Sequence, residues 1–284
     1  MLLGAPLGLS VVPFTKVESV GNDFVLIEEG TIPPRDLAAF AIHACRRRYS
    51  VGADGLLVVG REGEGVSLRM FNPDGSEDFC GNGLRCAAAY ARRAAWVGYA
   101  FTIRHLGRTV PASVDGSRVR TLIAPASFAP DAVPHTAETE IFLKQEIISG
   151  HRITMSALST GSTHVVLFVD SLPIDDIFQR VSSTLEHHPL FPERTSVIWV
   201  QPVSENHVRI RIWERGAGET LGCGTGSAAA AAAFFRRAER GGELEVLNPG
   251  GPLKVRMDSW DSLIEIEGTP EILYRGELSW HSGT

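Results

Sequence analysis

Apolar and polar positions change their period several times along the chain, and each change marks an element. Phe14-Thr-Lys-Val-Glu-Ser-Val and Phe24-Val-Leu-Ile are strand-length runs on either side of Gly21-Asn22-Asp23, residue types that tolerate the dihedrals of a tight turn. Pro33-Pro34-Arg35-Asp36 opens an amphipathic helix predicted to run to about Arg47, and the Arg46-Arg47-Arg48 cluster suits the negative end of its dipole. Leu56-Leu-Val-Val reads as a buried strand. Ser67-Leu-Arg-Met-Phe alternates like a strand and delivers Asn72 to its end, where Pro73-Asp-Gly-Ser supplies turn chemistry. An alanine-rich helix then follows Cys80 to about Trp96, and strands near residues 101–104, 109–114 and 118–123 close the first half.

Residues 124–138, with three prolines and few large apolar residues, read as a linker. Beyond it the pattern starts again. Gly21-Asn-Asp-Phe-Val-Leu-Ile is matched 140 residues later by Gly161-Ser-Thr-His-Val-Val-Leu, and Cys80-Gly-Asn-Gly is matched 143 residues later by Cys223-Gly-Thr-Gly with its own alanine run. Leu106-Gly107-Arg108 and Pro249-Gly250-Gly251 keep a similar offset. Landmarks in one order at nearly one offset point to an internal duplication. The fold class expected is α+β, with two pseudo-symmetric lobes, each a curved, mostly antiparallel sheet around a central alanine-rich helix, and the active site in the cleft between them. The first lobe is expected over residues 1–127 with Cys80, the second over 128–267 with Cys223, and 268–284 is expected to return to the first lobe.

Composition leaves this picture in place. Hydrophobic residues are 44% and charged residues 21% of 284, which suits a globular chain with a sizeable core. A net charge of −6 without a block of like charge argues against nucleic acid as a partner, and no apolar run reaches the ~18 residues of a membrane span. The apolar start, Met1 to Val12, lacks a basic n-region and a small-x-small cleavage site, so it reads as a loose extension or a start codon placed too early rather than an export signal. Four cysteines, at 45, 80, 86 and 223, form neither a disulfide framework nor a zinc spacing. Reduced thiols in a cytoplasm, with no metal, are the expectation.

A thiol at a glycine-flanked helix start favours thiolate, and the same N–H groups can hold a carboxylate. Two such starts admit one reaction class in particular. One thiolate removes an α-proton, the opposite thiol returns a proton to the other face, and no cofactor is needed. Glu77 and Glu219, shortly upstream of the two cysteines, belong to the repeated pattern. Small core cysteines are the bland alternative, and it is preferred for Cys45 and Cys86. Leu221-Gly-Cys-Gly-Thr-Gly also looks like the glycine loop of methyltransferases that use S-adenosylmethionine. That loop follows a buried strand directly, whereas here a polar turn intervenes.

The segments FTKVESVGNDF from Phe14, GADGLLVV from Gly52, FNPDGSEDFCGNGLRC from Phe71, FPERTSV from Phe191 and ERGAGETLGCGTGSAAAA from Glu214 resemble those of diaminopimelate epimerases, with NPGG near residue 250 in support. The resemblance implies a cofactor-independent epimerase that interconverts LL- and meso-diaminopimelate for lysine and peptidoglycan synthesis, usually as a homodimer. It implies Cys80 and Cys223 as the acid–base pair. Gly81, Asn82, Gly224 and Thr225 would hold the reacting carboxylate, and Asn22, Asn72, Glu214 and Arg215 would line the substrate pocket. His164 and Glu214 would adjust the thiols.

Three departures stand out. Glu77 lies three residues ahead of Cys80, where the family spacing is four, and Glu219 keeps that spacing. Ser162 and Ser196 stand where the family has asparagines. Both are retained here as substrate-side positions, although a hydroxyl reaches less far than an amide and offers fewer bonds. Two alternatives therefore stay open: a racemase or epimerase of the same mechanism for another amino acid, and a non-catalytic amino-acid-binding relative.

Overall fold

The structure is a computed structural model, and residues 9–281 are described. In chain order they form β1 (Leu9–Ser19), β2 (Asn22–Glu28), a 3-10 turn (Pro34–Asp36), α1 (Leu37–Cys45), β3 (Gly55–Glu62), β4 (Gly65–Phe71), α2 (Gly81–Arg93), β5 (Ala100–His105), β6 (Arg108–Asp115) and β7 (Arg118–Ile123). The second half holds β8 (Lys144–Ile148), β9 (His151–Ser159), β10 (Thr163–Phe168), α3 (Asp175–Glu186), β11 (Ser196–Ser204), β12 (His207–Glu214), β13 (Gly218–Thr220), α4 (Gly224–Arg237), β14 (Gly242–Asn248), β15 (Gly251–Met257) and β16 (Ile264–Gly268). The last strand is β17 (Glu271–His281). Two compact units divide the chain. One holds the described residues up to Val119 together with those from Thr269 onward, and the other holds Arg120–Gly268.

In the first unit β1 pairs antiparallel with both β17 and β2, β2 pairs parallel with β3, β3 antiparallel with β4, β4 parallel with β5, and β5 antiparallel with β6. In the second, β9 pairs antiparallel with both β8 and β10, β10 parallel with β11, β11 antiparallel with β12, β12 parallel with β14, and β14 antiparallel with β15. The two sequences of pairings are the same. Their parallel steps are crossed by helices at corresponding places, α1 and α2 in one unit and α3 and α4 in the other. The duplication read from the motifs is thus a duplication of topology.

Sequence explains the layering. β2 and β3 are a parallel pair covered on both faces, so their runs are continuously apolar rather than alternating. Phe24, Leu26, Leu57 and Val59 face the cluster around α2, while Val25, Ile27, Leu56 and Val58 face the cluster around α1. α2 packs against β1, β3, β4, β6 and β17. α4 packs against β9 to β12 and β14 to β16, so each central helix is enclosed by strands of its own unit. All six alanines from 228 to 233 are fully buried in α4, because a methyl group is what a strand can approach from every side. α3 packs on the strands of the second unit with Phe178, Val181 and Leu185.

Three expectations need correction. Residues 10–12 do not belong to a loose extension, since Ser10, Val11 and Val12 pair with Trp280, Ser279 and Leu278 and Val12 is buried. The rest of that expectation, on residues 1–8, lies outside the described residues. The segment 124–138 is not a bare connection, because Phe128 and Val133 are buried and Ser127 exchanges both backbone hydrogen bonds with Ser159. Its few apolar residues fall between the prolines and reach the core. The arginine cluster serves more than the end of α1, because Arg47 turns back to bind Asp23 at 2.6 Å and Asp54 at 2.7 Å.

Candidate active site

The first thiol sits at the N-cap of α2. The turn before it is tied by the Asn72 amide, which donates to Ser76 Oγ at 3.0 Å, and by Asp74, which accepts from the Ser76 backbone and hydroxyl. Cys80 has φ −133° and ψ 110°, and its Sγ accepts from the Gly83 N–H at 3.2 Å. The second thiol repeats this at the start of α4. Cys223 has φ −134° and ψ 115°, and its Sγ accepts from the Gly226 N–H at 3.3 Å. Glycine leaves room at both donors, as a Cβ on Gly83 would lie 2.9 Å from Leu57 Cδ2 and one on Gly226 would lie 2.8 Å from Ile198 Cδ1, so these side-chain ends would have to shift. The missing residue ahead of Cys80 therefore leaves the cap geometry unchanged.

The glutamates of the repeated pattern do not turn to the thiols. Glu77 accepts from Arg69 at 2.9 and 2.8 Å, and Glu219 accepts from Arg211 at 2.7 Å. Both arginines also lie over aromatic rings, Phe71 and Phe178. Each glutamate clips its loop to the preceding strand, because a guanidinium fork across the turn satisfies a carboxylate better than a neutral thiol can.

Around the first thiol, Asn22 and Asn82 come together. Asn82 Nδ2 donates to Asn22 Oδ1 at 3.2 Å, Asn22 Nδ2 donates to Asp54 Oδ2 at 2.8 Å, and Asn82 Oδ1 accepts from the buried Arg85. These partners orient both amides. Asp54 is in turn held by the Asp23 N–H and by Arg47, and Asp23 is bridged to the buried Lys16 at 2.6 Å. The carboxyl of Asp23 is held below its usual range because Arg47 and Lys16 outweigh the opposing cost of burial. Gly81 opens α2 next to Asn82. Asn72 is placed in its own turn and bonds to Ser76.

Around the second thiol a row of hydroxyls assembles. His164 Nε2 lies 3.0 Å from Ser162 Oγ, Ser162 Oγ 3.3 Å from Thr225 Oγ1, and Thr225 Oγ1 3.4 Å from Cys223 Sγ. Thr225 is fixed by Thr160, which donates to its carbonyl. Ser196 faces His164 across the parallel β10–β11 pair and accepts from the Arg215 N–H at 3.1 Å. Arg215 donates through its side chain to the Glu193 carbonyl. Glu214 accepts from Thr220 at 2.6 Å. Gly224 starts α4 beside Thr225.

Burial sets the charge states here. It pushes the Cys223 thiol well up, and the Glu214 carboxylate adds to this through its charge and a hydrogen bond, while Thr225 and the Gly226 N–H oppose it. The expected lowering at a helix start is thus reversed, since two hydrogen bonds do not offset the loss of water around a thiolate. Burial, and then Arg215, lower His164 to about 3, so its ring is neutral. Cys45 is raised to about 12 and Cys86 well up, both by burial among apolar groups.

Two side chains were missed by reading the motifs. His105 Nε2 accepts the Cys80 N–H at 3.2 Å, and Asn248 Oδ1 accepts the Cys223 N–H at 3.4 Å. They lie 143 residues apart, the same offset as the cysteines they hold. That offset was the available signal.

With this geometry in hand, the comparisons with known proteins become specific. A hydroxyproline epimerase from Agrobacterium vitis matches with a TM-score of 0.71 at 12% identity, covering 96% of this chain and 92% of that one. A phenazine biosynthesis protein of the PhzF family from Bacillus anthracis matches with a TM-score of 0.70 at 16% identity, covering 94% and 99%. Sequence relatives are nearer. Proteins named diaminopimelate epimerase are 38% identical over 260 residues in Synechococcus sp. (strain JA-3-3Ab), 86% of this chain and 90% of the relative, and 34% identical over 275 residues in Moorella thermoacetica, 93% and 98%. Fold and relatives together define an isomerase of the racemase and epimerase class. More narrowly, the family model described as diaminopimelate epimerase matches residues 14–127 and 156–273, and the chain belongs to that family.

Proposed function

We propose that the protein interconverts LL- and meso-2,6-diaminopimelate, with Cys80 and Cys223 as the two acid–base groups. The observation that carries this reading is the repetition of one thiol geometry, with matching dihedrals and a sulfur that accepts the N–H three residues on, at two helix starts of a duplicated fold. A planar carbanionic intermediate has two faces, and inversion in one pass needs a base on one and an acid on the other. Because burial and Glu214 keep Cys223 protonated, this thiol enters the first turnover as the donor and Cys80 as the acceptor. The first-turn N–H groups at Gly81-Asn82 and Gly224-Thr225 hold the carboxylate whose charge grows as the α-proton leaves. Asn22 and Asn72 contribute amide contacts, and Arg215 pairs the distal carboxylate. No cofactor takes part in this scheme, and the protein works as a cytoplasmic homodimer.

One observation supports a second reading. Ser162 and Ser196 are engaged within the protein, by His164 with Thr225 and by the Arg215 N–H. Neither extends an amide toward the far end of a substrate, which supports a different amino acid turned over by the same chemistry. The test follows solvent deuterium into the α-position of a panel of amino acids that includes diaminopimelate, for wild type, Cys80→Ala and Cys223→Ala. Exchange of diaminopimelate that disappears in both variants bears out the first reading, and exchange of another amino acid alone selects the second. Exchange that persists in both variants would exclude the two-thiol mechanism. No exchange with any substrate points to a binding protein.

A further inference from the structure

The backbone N–H of the residue that caps a helix is easily left without an acceptor, because the helix has no carbonyl to offer it. Both thiol-bearing caps meet this need with a side chain from a β-strand end, and the two halves chose different chemistry. Asn248, at the end of β14, presents an amide oxygen, with its Nδ2 fixed by the Val246 carbonyl at 3.1 Å. That oxygen also accepts from Ser227 at 3.1 Å, and it has no proton to gain near neutral pH. His105, at the end of β5, presents a ring nitrogen. Its Nδ1 lies 3.0 Å from the Leu68 carbonyl, a contact that is a hydrogen bond only if Nδ1 carries the proton. The network therefore assigns the neutral Nδ1–H tautomer, leaving the Nε2 lone pair for the Cys80 N–H.

The exchange of residue type goes together with a difference in loop length. Two residues separate Glu77 from Cys80, whereas three separate Glu219 from Cys223. The first loop is one residue short, and an imidazole extends farther from its backbone than an asparagine amide. The ring is fully buried and stacked on Phe79, with centroids 5.1 Å apart and planes at 20°, and Phe79 is itself covered by Arg108.

We propose that His105 is the positioning residue of the first thiol, its neutral ring holding the Cys80 N–H and releasing it when the ring gains a proton. Protonation converts Nε2 into a donor that faces another donor, so the bond is lost and the two N–H groups repel. The charged groups that face the ring act in opposite directions. Glu77 and Asp78, from the loop, favour the charged ring, while Arg108, from β6, opposes it. Burial outweighs them all and holds the ring below its usual value, so the clamp is closed at neutral pH and opens on acidification. Cys223, held by Asn248, has no such dependence. The N–H clamp on one thiol is thus sensitive to acid and the clamp on the other is not. The inference builds on the reading of Cys80 as an acid–base thiol, but it can be tested without turnover.

The test compares wild type, His105→Gln and His105→Ala. Glutamine places an oxygen near the Nε2 position and does not titrate. The first readout is the Cys80 backbone amide resonance in a nitrogen-15 NMR titration of the unliganded protein. In wild type it is expected to move with the His105 ring resonances, and in His105→Gln to stay flat over the same range. The second readout is α-deuterium exchange on whichever amino acid the enzyme accepts. His105→Ala is expected to lose about tenfold or more, the scale of one hydrogen bond at a reacting group, and His105→Gln to stay within about threefold while losing the acid-side inflection. Thermal unfolding of each variant separates misfolding from mispositioning. A Cys80 amide that titrates equally in wild type and His105→Gln would overturn the proposal, as would His105→Ala with an unchanged exchange rate and pH profile. If the amide result holds but no amino acid exchanges, the clamp stands and the proposed function fails.

Discussion

Asn82 Nδ2 donates to Asn22 Oδ1 at 3.2 Å, joining a turn to a helix start 60 residues further along the chain. Neither amide can rotate without breaking a second bond, since Asn22 is also tied to Asp54 and Asn82 to Arg85. The two residues expected to meet the substrate near the first thiol therefore form one rigid pair, and its rigidity is supplied from behind.

Removing that support is expected to weaken binding more than chemistry. Asp54→Ala leaves the Asn22 amide held only by Asn82, deprives the Asp23 N–H of its side-chain acceptor and leaves Arg47 with Asp23 alone. A hydrogen bond to a charged group contributes roughly 1.5–3 kcal/mol. The expected outcome is a fall in kcat/KM of about 10- to 100-fold, carried mainly by KM, in steady-state kinetics on the preferred amino acid.

Glu214→Gln removes the carboxylate whose charge and hydrogen bond add to the elevation of the Cys223 thiol. The Cys223 pKa is expected to fall, because a neutral neighbour no longer disfavours thiolate. Alkylation of Cys223, followed by peptide mass spectrometry across pH, should reach half-maximal rate at a lower pH than in wild type. An unchanged or higher midpoint would show that burial alone sets this thiol.

Gly83→Ala and Gly226→Ala place a methyl group within 3 Å of Leu57 and Ile198. Overpacking of this kind costs about 1–3 kcal/mol, partly offset by about 1 kcal/mol from the better helix propensity of alanine. Each variant is expected to lower Tm by a few degrees in thermal unfolding, and Gly226→Ala to cost activity beyond that, because its Cβ would lie 3.2–3.3 Å from Cys223 whereas that of Gly83→Ala stands at ordinary contact distance from Cys80.

His164 is lowered to about 3 in the folded protein, against a usual value near 6.5 in an unfolded chain. A group depressed in this direction contributes stability that is complete above about pH 6.5 and is lost as pH falls toward 3, where the folded state resists a proton the unfolded state accepts. Unfolding midpoints in urea should decline on acidification, and His164→Asn should flatten that decline between pH 6 and 4. An identical slope in the variant would assign the effect elsewhere.

The motifs showed the duplicated fold well because the features that build it are local. Glycine before an alanine run marks a helix that strands must approach closely, and continuous Val/Leu/Ile runs mark parallel strands covered on both faces. What stayed hidden was long-range. Glu77 and Glu219 sit shortly before the cysteines in sequence, yet each turns away to an arginine eight residues earlier, a cross-strand relation that linear proximity conceals. His105 and Asn248 act 25 residues from the cysteines they hold and share no residue type, so only their common offset linked them. The elevation of Cys223 was unreadable because desolvation depends on how completely the chain closes over a group. Ser10 to Val12 were misjudged because their partners are the last residues of β17.

That last pairing bears on how the protein is made. The second unit is one continuous segment, Arg120–Gly268, and every strand it needs is present once that segment has been synthesised. The first unit cannot close until β17 arrives to pair with β1, from Leu9 with His281 to Glu18 with Glu271. Domains that emerge first from the ribosome usually fold first. Here the amino-terminal unit leaves the exit tunnel early, yet β1 has no β17 to pair with until residues 271–281 have been made, after the whole of the second unit.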